Sequence, residues 1–224
     1  MASVSYAVLR DIKTVGRDGT PDRFRLKRTI DIVGSIAALI FLAPLLIIVA
    51  LLIRFSGDGP ILYSQERIGR GGELFHCFKF RTMTMGADEC LAHLLQNDSA
   101  AREEWLTLYK LKRDPRVTKL GRFLRRTSID ELPQLFNVLK GQMSLVGPRP
   151  IVLSEIARYR HYFADYLSVK PGITGLWQVS GRNNTTYRRR VALDVVYSRR
   201  VSLGMDAWIL LLTVRAIIKA DGCY

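Results

Sequence analysis

One stretch of the chain is apolar without interruption: the 22 residues from Ile32 to Ile53 carry no charge. A helix of this length can cross the hydrocarbon core of a bilayer. A buried core helix of this length is the weaker alternative, because no polar face interrupts the stretch. The pattern therefore predicts a helical segment in contact with the membrane.

Pro44 and the flanking charges bear on how this segment sits in the bilayer. Pro44 lies close to the middle, where its missing N–H kinks or breaks a helix. Residues 1–30 carry seven Lys or Arg against three Asp, and residues 54–224 carry the other 27. Basic flanks stay on the cytoplasmic side, so a spanning helix satisfies one flank whereas a re-entrant helix–break–helix satisfies both. Charge symmetry favours the re-entrant form, and a kinked spanning helix is the alternative.

The rest of the chain alternates between short strand-like and longer helical patterns. Ile61–Glu66 and Leu74–Met83 flank a glycine-rich turn and predict a hairpin. Helical periodicity occurs in segments 87–95, 102–111, 130–139, 153–165, 186–199 and 206–220. The last of these is strongly apolar and fits both a core helix and a helix in the membrane interface. We expect a helix-dominated mixed α/β fold with three parts: a loosely ordered lead-in (1–26), a membrane-associated segment (27–54) and a cytosolic domain (55–224).

Charge narrows the class of partner. The chain has 34 Lys and Arg against 20 Asp and Glu, a formal charge of +14. Such an excess predicts an anionic partner, which leaves nucleic acid, an acidic membrane surface or phosphorylated small molecules. The composition, 48% hydrophobic and 24% charged, excludes a disordered tail.

Two adjacent carboxylates, Asp130 and Glu131, follow a run of arginines that includes Arg125. Ser128-x-x-Glu131 matches a capping box, but Pro133 would then lie inside the helix and lose a hydrogen bond. With Asp130 as N-cap, Pro133 falls at a tolerated position, so we place the helix start at Asp130. The arginines would keep Asp130 ionised, and an ionised aspartate beside arginines can attack a phosphorus atom. On spacing alone, helix capping explains the pair more simply than catalysis does.

Three further positions have the chemistry of a phosphate or metal site. Prolines on both sides of Arg149 fix its backbone, which suits bidentate contact with a phosphate. Arg182 ends a glycine-rich loop, where backbone can approach a ligand. Asp194 is a lone acid on an apolar helix face, and with Asp130 and Glu131 it could supply oxygen ligands to Mg²⁺.

Several longer motifs follow one another along the chain. They are Lys27-Arg28-x-x-Asp31, residues 78–83, residues 114–122, residues 128–141, residues 143–150 and residues 171–182. Together they resemble the bacterial sugar transferase family, the membrane-associated phosphoglycosyl transferases that begin polysaccharide and glycan assembly. The resemblance covers nearly the whole chain from Lys27 onward, and the exopolysaccharide-initiating members are most similar. Ala43-Pro44 departs from the Ser-Pro of many relatives.

The resemblance implies transfer of a hexose 1-phosphate from a UDP-sugar to polyprenyl (undecaprenyl) phosphate, releasing UMP, with Mg²⁺ required. It implies that Asp130 is a nucleophile carrying a covalent phosphosugar, that Glu131 assists it, and that Asp194 is an active-site acid. Arg125, Arg149 and Arg182 would contact phosphates or nucleotide. The apolar run would be a re-entrant helix broken at Pro44, in contact with lipid of the bacterial inner membrane, with the catalytic domain facing the cytoplasm. The resemblance is compatible with a homo-oligomer.

Two other functions are weighed against the enzyme. A nucleic-acid-binding module explains the arginines, but it explains neither the apolar run nor the Asp130–Glu131 pair. A non-catalytic scaffold on the membrane surface explains the apolar run and gives the carboxylates no task. We therefore expect an enzyme without a nucleic-acid partner.

Overall fold

The computed structural model describes residues 21–108, 111, 114–181 and 185–219. Over these residues the fold is mixed α/β and dominated by helices, as the pattern predicts. The helices are α1 (Pro21–Phe55), α2 (Ala87–Asn97), α3 (Ser99–Leu108), α4 (Lys119–Thr127), α5 (Gln134–Leu139), α6 (Ile156–Tyr159), α7 (Phe163–Leu167), α8 (Leu176–Val179), α9 (Tyr187–Arg199) and α10 (Leu203–Lys219). The strands are β1 (Leu62–Ile68), β2 (Leu74–Phe80), β3 (Ser144–Val146) and β4 (Gly172–Thr174).

The strands form two separate two-stranded sheets. β1 and β2 pair antiparallel, with Leu62 opposite Phe80 and Ile68 opposite Leu74, which confirms the predicted hairpin. Its turn includes Gly71, whose positive φ of 67° favours glycine. β3 and β4 pair in parallel between segments 28 positions apart. Each is three residues long, and their pairing was not predicted.

Several helices lie where periodicity places them. α2 and α9 match their predicted segments, and the Thr186 side chain caps α9 by accepting a hydrogen bond from the Arg189 amide. The single helix expected over 153–165 is wrong: the segment divides into short helical turns. At its middle Arg160 takes φ 49° and ψ −132°, a conformation that ends α6 and changes the chain direction.

The predicted start of a helix at Asp130 is also wrong. Ser128 takes a left-handed conformation (φ 58°), which ends α4. A 3-10 turn, Ile129–Glu131, follows, and the α-helix α5 begins only at Gln134. The Leu132 amide donates to the Ile129 carbonyl, and Pro133 has no N–H with which to continue an α-helical ladder. Asp130 therefore lies within a tight turn and caps no α-helix.

The apolar run forms one long helix, α1. By length and composition, its part from Arg25 to Phe55 could cross a membrane. The helix begins at Pro21, so residues 21–26 of the expected lead-in are helical, while residues 1–20 lie outside the described residues. The break expected at Pro44 is not observed, because the helix is continuous through it. A proline removes one backbone hydrogen bond, and Pro44 is exposed in α1.

The N-terminal part of α1 is bound to the rest of the fold by polar contacts. Asp31 is 4% exposed and accepts hydrogen bonds from the Ser144 hydroxyl and the Leu145 amide, both at 3.0 Å. The guanidinium of Arg28 donates to the last carbonyls of α5, those of Val138 (2.6 Å) and Leu139 (2.9 Å). These contacts hold this end of α1 against β3 and α5.

The C-terminal part of α1 packs on the same domain. Val49 and Ile53 are buried against Phe80 and Leu124. Arg81, just after β2, donates to the Ile53 carbonyl at the end of α1 (3.1 Å). The opposite face of the helix is apolar and exposed through Val33, Ile36, Ile40, Phe41, Ile47, Ile48, Leu51, Leu52 and Phe55. One face of α1 thus lies on the domain at both ends, and the other face is free.

Candidate functional site

A pocket lies between the hairpin, the turn after α4, and the sheet of β3 and β4. It is lined by Arg67, Cys77, Lys79, Glu131, Gln134, Arg149, Pro150, Gly172, Ile173 and Gln178. Two residues proposed from the sequence, Glu131 and Arg149, are among them. The pocket therefore brings together residues that lie far apart along the chain.

Glu131 is held between two cations. Its Oε1 lies 2.6 Å from Lys79 Nζ and 3.9 Å from Arg149 Nη1. Burial alone would raise the pKa of Glu131, but the charges of Lys79 and Arg149 outweigh it and hold the pKa below its usual value. Glu131 is therefore ionised at neutral pH. Lys79 was not proposed as a site residue, although its place in β2, between two phenylalanines, was visible in the sequence.

Asp130 is buried beside this ion pair, at 7% exposure. Burial, and next the negative charge of Glu131, raise its pKa to about 6, although Lys79, Arg125 and Arg149 act in the opposite direction. Burial therefore has a larger effect on this pKa than the arginines, which we expected to keep Asp130 ionised. At pH 7 about nine-tenths of the Asp130 carboxylates are still ionised. Asp130 thus combines a charged state at neutral pH with the higher basicity of a buried acid.

Arg125 lies in the last turn of α4, near enough to Asp130 for their charges to interact. Its Nε donates to the Thr82 hydroxyl at 2.9 Å, and burial lowers its pKa while the Asp130 charge raises it. α4 lies very close to residue Thr82: a Cβ placed on Gly121 would be 2.0 Å from the Thr82 carbonyl oxygen. Because Gly121 has no side chain, α4 can pack against the backbone of Thr82. This packing fixes the position of Arg125.

Arg149 lies between the carboxylates and an aromatic ring. Its guanidinium carbon is 5.8 Å from the ring centroid of Trp177, and that of Arg190 is 4.5 Å from the same centroid. Cations at these distances from an indole face are attracted to it. Trp177 therefore holds two guanidinium groups next to the pocket.

The surroundings of Asp194 differ from those of Asp130 and Glu131. It is 2% exposed, and its Oδ2 accepts a hydrogen bond from the Tyr159 hydroxyl at 2.7 Å. Burial raises the pKa of Asp194 to about 7, although Tyr159, Arg149 and Arg190 lower it. In the part of the chain that the structure describes, no three His, Cys, Asp or Glu side chains form a group that could hold a metal.

The three-acid magnesium set of Asp130, Glu131 and Asp194 is thus not formed, since Asp194 on α9 is directed to Tyr159. Arg182, the remaining sequence candidate, lies outside the described residues.

The pocket also contains polar residues that sequence reasoning missed. Arg67 donates to the Pro150 carbonyl at 3.0 Å, next to Arg149. Gln134 and Gln178 line the pocket from α5 and α8. No motif marked the two glutamines as site residues, because only the tertiary fold brings them to the pocket.

Comparison with known proteins shows what the chain is similar to. The family model described as "Bacterial sugar transferase" matches residues 22–220. The chain is 53% identical over 199 residues to "undecaprenyl-phosphate galactose phosphotransferase" of Salmonella typhimurium, covering 89% of this chain and 42% of that protein. It is 46% identical over 198 residues to "exopolysaccharide production protein ExoY" of Sinorhizobium fredii, covering 88% of both. It is 40% identical over 198 residues to "UDP-glucose:undecaprenyl-phosphate glucose-1-phosphate transferase" of Escherichia coli, covering 84% of this chain and 39% of that protein. The chain thus spans less than half the length of two of these relatives and most of the third.

Proposed function

Since the chain belongs to the bacterial sugar transferase family, we propose that it transfers a hexose 1-phosphate from a UDP-sugar to polyprenyl phosphate, releasing UMP, as the first step of exopolysaccharide synthesis. One observation carries the proposal: a buried aspartate, ionised at neutral pH, lies among Lys79, Arg125 and Arg149. Three cations around two carboxylates form a site suited to a diphosphate.

The reaction proceeds in two displacements at one phosphorus atom. A carboxylate oxygen of Asp130 attacks the β-phosphorus of the UDP-sugar, and the bond to the bridging oxygen breaks with its electron pair leaving on UMP. The product is an aspartyl phosphosugar. A phosphate oxygen of polyprenyl phosphate then attacks the same phosphorus, which forms the diphosphate and restores the Asp130 carboxylate. Arg125 and Arg149 neutralise the phosphoryl oxygens in both steps.

Glu131 assists by its charge. It raises the pKa of Asp130, so that the nucleophile is more basic than an ordinary aspartate, and it fixes Lys79 and Arg149 at the pocket. Mg²⁺ fits the same pair, because Mg²⁺ in proteins takes one or two carboxylates together with substrate phosphates. Asp130 and Glu131 would hold it, and when bound it would neutralise phosphate charge.

The first test is release of UMP by purified protein in detergent or nanodiscs, measured for a panel of UDP-hexoses with and without polyprenyl phosphate. We expect catalytic UMP release from one or a few UDP-hexoses only when the lipid acceptor is present, because the acceptor must clear the aspartyl intermediate. A scaffold would release none from any member of the panel, and that result would refute the proposal.

We also propose that α1 is embedded in the cytoplasmic leaflet without crossing the bilayer, so that the domain faces the cytoplasm and reaches polyprenyl phosphate in the inner membrane. α1 is about 50 Å long, and residues near both of its ends contact one domain. A domain on one side of the bilayer could not contact both ends of a helix that crossed it. The exposed apolar face is the part in contact with lipid.

Thiol labelling tests this topology. Leu26 and Phe55 are 52% and 82% exposed and lie near the two ends of α1. In a chain with Cys90 and Cys223 replaced by Ser, Leu26→Cys and Phe55→Cys should both escape a membrane-impermeant periplasmic thiol reagent in intact cells. Both should react after permeabilisation, which is the control. Labelling of Leu26→Cys alone in intact cells would establish a spanning helix.

A further inference from the structure

The side chain of Asn137, on α5, binds the edge of β2 that is not paired with β1. In an antiparallel pair, the backbone groups of alternate residues point to opposite edges of a strand, and those of His76 and Phe78 share one edge. Asn137 Oδ1 accepts a hydrogen bond from the Phe78 amide at 3.0 Å, and its Nδ2 donates to the His76 carbonyl at 2.7 Å. The carboxamide therefore takes the place of one peptide group of a third strand.

The carboxamide of Asn137 is closed off from a substrate. Its Nδ2 also donates to Gln142 Oε1 at 2.8 Å, so both N–H donors of the amide are used. The whole residue is 0% exposed. Any part that Asn137 plays at the pocket is therefore exerted through β2.

Two contacts join β2 to the segment that runs from the turn of Glu131 into α5. One is the carboxamide of Asn137, and the other is Lys79 Nζ, which lies 2.6 Å from Glu131 Oε1. Phe78 directly precedes Lys79 in β2. A lysine side chain is flexible, and an ion pair whose side chains are 22% and 25% exposed does little to fix a backbone. The hydrogen bonds of Asn137 are thus the more rigid of the two contacts.

We propose that Asn137 is a positioning residue for the transfer reaction: it fixes β2 against α5, so that Lys79 stays beside Glu131, where the donor phosphates bind. The place of the phosphates rests on the proposed function, whereas the link from Asn137 to Lys79 rests on the contacts above. A displaced cation binds a diphosphate less well, since its charge helps only where it is held in position. The alternative is that Asn137 stabilises the fold and does nothing more.

UMP release by the full chain in nanodiscs separates these two roles. Asn137→Ala should raise the KM of the UDP-sugar roughly 3- to 10-fold, the range of one neutral hydrogen bond, because Lys79 is no longer held at the phosphates. KM does not depend on how much of the preparation is folded. A purely stabilising role would therefore lower the apparent kcat and leave KM unchanged, and that result would refute the proposal.

Gln142→Met is the matched control. It removes one hydrogen bond of the same carboxamide and leaves both bonds to β2, so KM should stay within about twofold of the wild type. Asn137→Leu fills the volume of the amide and guards against a folding defect caused by the cavity in Asn137→Ala. It should raise KM as well. A rise of equal size in Gln142→Met would show that the bonds to β2 are not the cause, which contradicts the proposal.

The effect on KM must also pass through Lys79. In Lys79→Met the cation is absent, so adding Asn137→Ala should raise KM by less than about twofold, because two changes that act on one group are not additive. The full rise in that background would show that Asn137 acts on another part of the site, and the proposed role would be wrong.

Thermal unfolding tests the same link without any turnover. Lys79→Met and Glu131→Gln should shift the unfolding temperature by amounts that do not add, because each removes the same ion pair. In the Asn137→Ala background the two shifts should be closer to additive, and undiminished coupling there would overturn the proposal. If the coupling falls but no UDP-sugar of the panel is turned over, the proposed reaction fails while the positioning of Lys79 stands.

Discussion

Asp130→Asn should abolish UMP release from the UDP-sugar that the wild-type chain uses. An amide is not nucleophilic enough to displace UMP and form an acyl phosphate, so the route through a covalent intermediate closes. We expect a loss of at least about three orders of magnitude in kcat, the scale observed when the nucleophile of a covalent catalyst is removed. The measurement is UMP release at saturating UDP-sugar and polyprenyl phosphate.

Glu131→Gln is the matched control for this variant. It removes the neighbouring carboxylate but leaves the nucleophile, so we expect a smaller loss of turnover than with Asp130→Asn. Radiolabelled donor without lipid acceptor should leave label on the wild-type protein and none on Asp130→Asn. Wild-type turnover by Asp130→Asn, or product formation with no label at Asp130, would contradict the nucleophile assignment.

The pH dependence of the wild type gives an independent readout of the same carboxylate. Its pKa of about 6 means that kcat/KM should fall as the pH falls below 6, because the nucleophile becomes protonated.

The pH dependence of stability that Asp130 causes runs in the opposite direction to that of activity. Its folded pKa lies above the ordinary aspartate value, so between the two the folded state binds more protons, and this contribution to stability grows as the pH falls. Asp130→Asn should therefore unfold at the same or a higher temperature than the wild type.

Elements that follow from local pattern could be predicted from the sequence. The β1–β2 hairpin has strands that alternate on either side of a glycine-rich turn, and α9 has Thr186 as its cap. β3 and β4 could not be predicted, because three-residue strands carry no periodicity and their pairing is decided by packing. The start of α5 was predicted at Asp130, too early in the chain. In the structure Ser128 is left-handed and a 3-10 turn follows it, so that Asp130 does not cap an α-helix.

The candidate site shows the same division between local and tertiary information. Asp130, Glu131, Arg125 and Arg149 could be proposed because charge and proline spacing mark them. Lys79 could not be assigned to Glu131, since their 2.6 Å contact joins β2 to a turn 52 positions later. The expected grouping of three acids around a metal failed for a related reason: acids can be counted in a sequence, but the direction of a buried side chain depends on its packing.

A buried ion pair joins α1 to the rest of the fold. Lys27 Nζ lies 2.6 Å from Asp206 Oδ2, and the two side chains are 14% and 11% exposed. The Tyr197 hydroxyl donates to Asp206 Oδ1 at 2.7 Å. Lys27 also donates to the Val146 carbonyl, at 3.1 Å. Val146 ends β3, three residues before Arg149, so this ion pair supports the backbone that leads to Arg149.

Asp206→Ala should destabilise the protein strongly. It leaves the Lys27 ammonium buried without its counter-charge, and breaking a buried pair in this way costs about 3–5 kcal/mol. For a chain of this size we expect thermal unfolding in nanodiscs to occur on the order of 10 °C lower. The double variant Lys27→Met with Asp206→Leu should recover most of the loss, because both charges are then removed and the space is refilled.

The ion pair of Asp165 and Arg199 supplies the matched control. Its Nε–Oδ1 distance is 2.8 Å, close to that of the buried pair, but the Arg199 side chain is 60% exposed. Water screens this pair, so Asp165→Ala should change the unfolding temperature far less. Equal shifts in unfolding temperature for Asp206→Ala and Asp165→Ala would show that the buried pair Lys27–Asp206 contributes no more to stability than the exposed pair. A shift confined to Asp206→Ala, reversed in the double variant, would show that the contact of α1 with α10 is a structural part of the domain.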